Sequence, residues 1–201
     1  MKKYDFKQAK FFVTVNDLRQ LPKVSNLEIA IVGRSNAGKS SLLNTLTNQN
    51  KLAFTSKTPG RTQHINYFAI DKEENIFLVD LPGYGYAKVP EAIRKHWIGL
   101  LGDYLKNREQ IVGLVLIMDI RHPLKELDIN MINFFRVRNR PIHFVLSKSD
   151  KISNSENINV MKKVTQYLID MGLNNYTIQN FSALKKTGVE ELNNVLNSWL
   201  N

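Results

Sequence analysis

Apolar residues fall along this chain in two alternating patterns. Short runs dense in β-branched and aromatic residues, such as Leu27-Glu28-Ile29-Ala30-Ile31-Val32 and Ile142-His143-Phe144-Val145-Leu146, have the length of buried strands. Between them lie longer stretches in which apolar positions recur every three to four residues, as amphipathic helices require. The patterns predict strands near 27–33, 64–70, 75–80, 112–119, 142–147 and 176–181, and helices near 39–47, 91–107, 125–138, 155–171 and 188–200. Such alternation builds a parallel sheet covered by helices on both faces. One connection departs from it. Residues 64–70 and 75–80 are joined by Asp71-Lys72-Glu73-Glu74, too short for the crossover that parallel neighbours need. These two strands must pair as an antiparallel hairpin. The expected fold class is α/β: a mixed, mostly parallel six-stranded sheet with one antiparallel strand and helices on both faces.

Two segments lie outside the alternation. Residues 48–63 are polar, and a loop of that length inside a domain is usually functional. The first 20 or so residues precede the first core strand; an extra edge element and a mobile arm are both open to them. The chain divides into an N-terminal extension, 1–22, and one domain, 23–201.

Composition narrows the classes. The 201 residues are 43% hydrophobic, enough for one full core. Cysteine is absent, which excludes disulfides and thiolate metal sites. His64, His96, His122 and His143 are dispersed, without metal-ligand spacing. Trp97 and Trp199 fall in helical patterns, as core or interface anchors do. The start, Met1-Lys2-Lys3-Tyr4-Asp5-Phe6, has no apolar leader, and the longest apolar run, Ile111 to Ile120, is too short to cross a bilayer. A cytoplasmic protein without a membrane partner is expected.

The candidate chemistry is concentrated at the strand ends. Gly33-Arg34-Ser35-Asn36-Ala37-Gly38-Lys39-Ser40 fits G-x-x-x-x-G-K-S, after a predicted strand and opening a predicted helix. That context defines a phosphate-binding loop, whose backbone N–H groups and helix N-terminus face an anion. Lys39 would reach the β/γ phosphates and the Ser40 hydroxyl would hold Mg²⁺. Asp80-Leu81-Pro82-Gly83 fits D-x-x-G at the end of a strand; Asp80 would reach Mg²⁺ through a water and the Gly83 N–H a γ-phosphate. In the long loop, Thr58-Pro59-Gly60-Arg61-Thr62 offers a threonine that coordinates Mg²⁺ when a γ-phosphate is present, with Thr62 preferred over Thr58. Lys39, Thr62 and Gly83 are thus the catalytic candidates. Ser147-Lys148-Ser149-Asp150 resembles the N/T-K-x-D guanine motif. The Asp150 carboxylate can accept from the N1–H and 2-amino groups of guanine, while adenine would leave it unpaired. The Lys148 stem would cover the base, and Ser147 keeps a hydroxyl to tie the segment to the phosphate loop. Phe181-Ser182-Ala183 resembles the S-A-x motif whose backbone meets guanine O6.

Taken together with Gln63, with Tyr84-Gly85-Tyr86-Ala87 after the D-x-x-G motif, and with Asp119-Ile120-Arg121-His122-Pro123-Leu124, these segments resemble the EngB (YihA/YsxC) family of bacterial GTPases. The family lies in the TrmE-Era-EngA-EngB-septin-like branch, and the likeness runs from about residue 4 to the end. It implies a Ras-like P-loop domain, binding of GTP, GDP and Mg²⁺, slow hydrolysis, a role in assembling the large ribosomal subunit, and a link to cell division and septation. Where Ras-like proteins place a water-orienting glutamine, this chain has Tyr84. Asn36 falls where a related branch binds a monovalent cation, so K⁺ coordination and a simple loop cap are both open to it.

The net charge of +10 exceeds what a nucleotide pocket uses. It suits a polyanionic partner, RNA before DNA, and equally a scatter of solvated lysines. Joined to the resemblance, it gives the large ribosomal subunit or its precursor, rRNA and proteins, as the expected partner of a monomeric switch. A constitutive RNA-binding module with a structural nucleotide and a septum-associated GTPase are the alternatives.

Overall fold

The structure, a computed structural model, describes residues 2–23, 27–53, 64–85 and 91–201, with the backbone of 91–98 and no side chains there. The expectations for Thr58, Gly60, Arg61, Thr62, Tyr86, Ala87 and the Trp97 side chain fall outside the described residues.

Among the described residues seven strands form one sheet: β1 (Lys10–Val15), β2 (Leu27–Gly33), β3 (Ile65–Ala69), β4 (Ile76–Asp80), β5 (Ile111–Asp119), β6 (Ile142–Ser147) and β7 (Tyr176–Asn180), in the order β1-β3-β4-β2-β5-β6-β7. β2 pairs in parallel with β4 and β5, and β6 carries the parallel set on to β7. β3 runs antiparallel to β4, as the short 71–74 connection requires. The helices are α1 (Lys39–Leu46), α2 (Glu91–Asn107), α3 (Glu126–Arg136), α4 (Asn154–Asp170) and α5 (Val189–Ser198).

The sheet has one strand more than the six expected. β1 pairs antiparallel with β3, from Lys10 opposite Ala69 to Val15 opposite Ile65, with a register shift between Phe11 and Val13. The run Lys10-Phe11-Phe12-Val13-Thr14-Val15 is short, and its stability comes from partners distant in sequence. Phe12 packs on Phe77 with ring centroids 5.0 Å apart, and Phe11 meets Phe68 edge-on at 6.1 Å. Upstream, the Tyr4 N–H donates to Asn197 Oδ1 at 2.7 Å, and Gln49 Nε2 donates to the Ala9 carbonyl at 2.7 Å. Phe6 is fully buried. These contacts settle the opening segment as an edge element of the domain.

Both faces of the sheet are covered, which is why its central strands read as continuous apolar runs. On one face Val32, Phe77, Leu116 and Phe144 pack under α2, α3 and α4 through Tyr104, Ile132, Phe135, Val164 and Leu168. On the other, Ile31, Leu78, Val115 and Val145 meet α1 and α5 through Leu42, Leu46, Leu192 and Leu196. Gly113 is required by Trp199: a Cβ there would stand 2.5 Å from the indole. No helix among the described residues is long and apolar enough to cross a membrane.

Candidate nucleotide site

The motif residues come together at the carboxyl ends of the parallel strands, where open α/β sheets bind ligands. β2 ends in Gly33, whose missing side chain lets β5 approach; a Cβ would lie 2.8 Å from the Ile117 carbonyl oxygen. The chain then turns, with the Ala37 N–H donating to the Arg34 carbonyl at 3.0 Å. Asn36 has φ 64 and Gly38, the N-cap of α1, has φ 100. Both are in the left-handed region that Gly and Asn tolerate best. Asn36 thus has a conformational reason to be Asn. Lys39 and Ser40 open α1, so this loop presents a helix N-terminus to any bound phosphate.

The D-x-x-G segment runs beside the loop. Leu81 N–H donates to the Ile31 carbonyl at 3.0 Å, Tyr84 N–H to Gly33 at 3.2 Å, and Ser35 N–H to the Tyr84 carbonyl at 2.8 Å. These bonds carry parallel pairing past the end of β4 and hold Pro82 and Gly83 against the loop. The Leu81 side chain is fully buried, so its contribution to a ligand would be through backbone placement. Lys39 Nζ forms an ion pair with the Asp80 carboxylate, and both side chains are nearly covered. The cation of the loop and the carboxylate at the end of β4 therefore already face one another. The Tyr84 hydroxyl donates to Asp128 Oδ1 at 2.7 Å. Burial first, then the Asp128 charge, pushes this phenol far above its ordinary value. It stays protonated and cannot serve as a general base.

The residues expected to recognise the base converge from β6 and β7. The Ser147 hydroxyl donates to the Ala37 carbonyl at 2.5 Å and the Met118 carbonyl at 3.1 Å, fastening the end of β6 to the phosphate loop. Lys148, at φ 60, sends Nζ to the Asn36 carbonyl at 2.6 Å and to Asp119 Oδ2 at 2.9 Å. Asp119 also accepts from Arg121 Nε at 2.9 Å and Nη2 at 2.7 Å. Burial raises its pKa, but the bonds from Arg121 and Lys148 prevail and hold it well below the usual carboxylate range. Asp150 accepts from the Ser182 hydroxyl at 2.6 Å, and this bond first of all lowers its pKa. The Ser149 N–H donates to the Phe181 carbonyl at 3.1 Å, and the Phe181 N–H to Leu146 at 2.8 Å. Phe181 itself is 1% exposed; its side chain is a core anchor, while its backbone joins the two recognition segments. Ala183 follows on the same turn.

Two supporting residues escaped the motif reading. Asp119 was visible only as part of a family signature, and its role of holding Lys148 needs the β5–β6 pairing. Asn157 Nδ2 donates to the Ser149 carbonyl at 3.1 Å from α4, a contact that no spacing foretells. Among the described residues no cluster of His, Asp or Glu could hold a metal ion by itself.

Comparison with known proteins places this geometry. Residues 28–148 match the model of a family described as 50S ribosome-binding GTPase. A protein of Neisseria meningitidis serogroup B named as a probable GTP-binding protein EngB is 58% identical over 97% of this chain and 92% of its own length. The chain belongs to the EngB family of GTP-binding proteins. A solved EngB structure superposes with a TM-score of 0.64 at 25% identity, covering 86% of this chain and 97% of the other. An Aquifex aeolicus Era variant bound to GDP and AlF₄⁻ shares the fold, with a TM-score of 0.69, 24% identity, and 86% and 56% of the two chains covered. As an EngB-family GTPase the chain binds GTP and GDP and hydrolyses GTP. Its fold is the Ras-like P-loop domain, and the glycine cradle, the helix N-terminus and the acceptor at Asp150 fit that ligand.

Proposed function

We propose that this EngB-family GTPase is a nucleotide-controlled switch acting on the large ribosomal subunit or its precursor, in the cytoplasm. The observation that carries the reading is where the positive charge is not. Lys39 and Lys148, the two lysines of the nucleotide site, are each paired with a carboxylate, Asp80 and Asp119. These pairs cancel the charge of both lysines, so the site accounts for little of the excess and most of the net +10 lies on the remaining surface. Exposed lysines such as Lys162, Lys163, Lys185 and Lys186 face solvent, where cations bind phosphates by releasing counterions. The family model's description as ribosome-binding supports the same partner. The family's link to cell division and septation belongs to the same proposal.

GTP supplies the γ-phosphoryl group that is transferred to water and distinguishes the two states. Lys39 would leave Asp80 for the phosphates, while Ser40, Thr62 and, through a water, Asp80 would hold Mg²⁺. The backbone of Gly33–Ser40 orients the phosphates, and Gly60 and Arg61 flank the Thr62 ligand. Gly83 and Thr62 would be held by contacts that hydrolysis removes, releasing their segments. Intrinsic turnover is slow, because Tyr84 can neither orient water as glutamine does nor take a proton.

Sedimentation with purified subunits tests the reading. The protein with a GTP analogue should travel with the large subunit, less so with GDP, and binding should fall steeply with salt. Cosedimentation that ignores nucleotide would instead favour constitutive RNA binding; none in either state would move the partner off the ribosome.

A further inference from the structure

His143 is fully buried on β6, four residues before the Ser147-Lys148-Ser149-Asp150 motif and outside it, and both its ring nitrogens are bonded. Nδ1 is 2.7 Å from Thr177 Oγ1, and Nε2 is 2.9 Å from Gln179 Oε1, both on β7. The Gln179 Nε2 donates in turn to the Gly188 carbonyl at 2.7 Å and the Asn180 carbonyl at 3.2 Å. Two carbonyl acceptors fix which way the amide points, so its oxygen faces the imidazole. Nε2 must then carry a proton, and because burial keeps the ring neutral, Nδ1 accepts from the Thr177 hydroxyl.

This chain of bonds ends at the neck of the loop that carries Ser182 and Ala183. Gly188, the N-cap of α5, has φ 79, and a Cβ on it would lie 2.4 Å from the Asn180 carbonyl oxygen and 2.5 Å from Gln179 Nε2. β7 and the start of α5 are therefore pressed together through the Gln179 amide. Above the neck, Ser182 and Thr187 exchange two backbone hydrogen bonds of 3.1 Å each. At the top the Ser182 hydroxyl accepts from the Lys185 N–H at 3.1 Å and donates to Asp150. His143, Gln179 and Ser182 are each at most 1% exposed. A loop with an exposed tip (Leu184 is 76% exposed) is thus held at its base by a buried polar ladder.

We propose that His143, Thr177 and Gln179 are positioning residues for base recognition, setting the 181–188 loop, and through Ser182 the Asp150 carboxylate, in the geometry that reads guanine. The proposal rests on the assignment of Asp150 and the Ser182-Ala183 turn to the base. None of the three residues touches the nucleotide. Their removal acts by leaving the Gly188 and Asn180 carbonyls, or Gln179 Oε1, without a donor, so that the neck relaxes.

The test uses the full-length protein and fluorescent GDP. Gln179→Leu and His143→Phe should each speed GDP release about tenfold or more, the factor that one lost buried hydrogen bond carries. In GTP hydrolysis the change should fall on KM more than on kcat. His143→Gln, whose amide can accept from Thr177 and donate to Gln179, should restore release to within about threefold of the parent, under 1 kcal/mol. Thr177→Val, at an exposed edge position, supplies a milder variant should the buried ones fail to fold, and should also speed release. Lowered melting temperatures with parental GDP release and KM would overturn the proposal, as would failure of His143→Gln to rescue. Asp150→Asn, assayed with xanthosine diphosphate, checks the underlying assignment separately. A gain of xanthosine binding there, beside indifferent Gln179 and Thr177 variants, would sink the ladder and leave the base site standing.

Discussion

Arg108→Ala should be among the most damaging substitutions outside the nucleotide site. Glu28 has no exposed surface, and Arg108 answers its charge with Nε at 2.9 Å and Nη2 at 2.6 Å. The Tyr104 hydroxyl donates to the same carboxylate at 2.6 Å and the Tyr67 hydroxyl at 3.3 Å. Burial, then the Glu28 charge, raises both phenols far above their ordinary value, so they remain donors. Removing the guanidinium leaves a buried carboxylate with two neutral partners, and breaking such a pair costs about 3–5 kcal/mol. For a domain of this size that is roughly 6–20 °C in melting temperature. Replacing Glu28 and Arg108 together by Met should restore most of the loss, because the orphaned charge goes too. Urea denaturation of the two single variants and the double variant measures the cycle. GDP affinity should stay within about threefold, less than 1 kcal/mol, since Glu28 lies near the start of β2 and the phosphate loop follows its other end. An Arg108→Ala protein within 1 kcal/mol of the parent, or a double variant as unstable as the sum of the singles, would refute the reasoning.

Three further outcomes follow from the same geometry. Lys39→Ala should weaken GDP and GTP alike by about 10- to 100-fold in equilibrium binding, the range for a bond to a charged group. Burial lowers the His143 imidazole to about 4 from its ordinary 6.5, against the pull of its Gln179 bond. The unfolded chain therefore takes up this proton first, and stability is full above pH 6.5 and lost as pH falls toward 4. The parent should lose about 2 kcal/mol more than His143→Gln between pH 7 and pH 5 in paired denaturation curves. Asn36→Gly keeps the left-handed backbone and removes the carboxamide, so it should bind GDP normally while losing the faster hydrolysis expected in K⁺ over Na⁺; equal parental rates in the two salts would confine Asn36 to its conformational role.

The strand and helix periods made the core sheet legible, because β2, β5 and β6 are covered on both sides and are apolar at most positions, with Glu28 and His143 buried as partnered exceptions. The hairpin was legible from one short connection. β1 was not, since an edge strand is selected by its partners: Phe12 has meaning only beside Phe77, and Tyr4 beside Asn197. The same division holds at the site. Phosphate and base motifs are local, because a backbone cradle needs consecutive residues. What aims them is distant: Asp119 on Lys148, Asn157 on the Ser149 carbonyl, and Gln179 on the Gly188 carbonyl. Fixed spacing cannot encode those contacts, which depend on strand register. Leu81 and Phe181 mark the opposite limit, motif positions whose side chains serve the core.

The central claim is that the nucleotide read by Asp150 controls association with the large ribosomal subunit. Asp150→Asn should exchange guanine for xanthine preference, because the carboxamide presents a donor where the carboxylate accepted. Cosedimentation with purified large subunits can then be made to depend on the base. The parent should bind subunits with a non-hydrolysable guanosine analogue, and Asp150→Asn with the xanthosine analogue in its place. Subunit binding by both proteins regardless of the analogue supplied, or an Asp150→Asn protein that still answers to guanosine, would contradict the account.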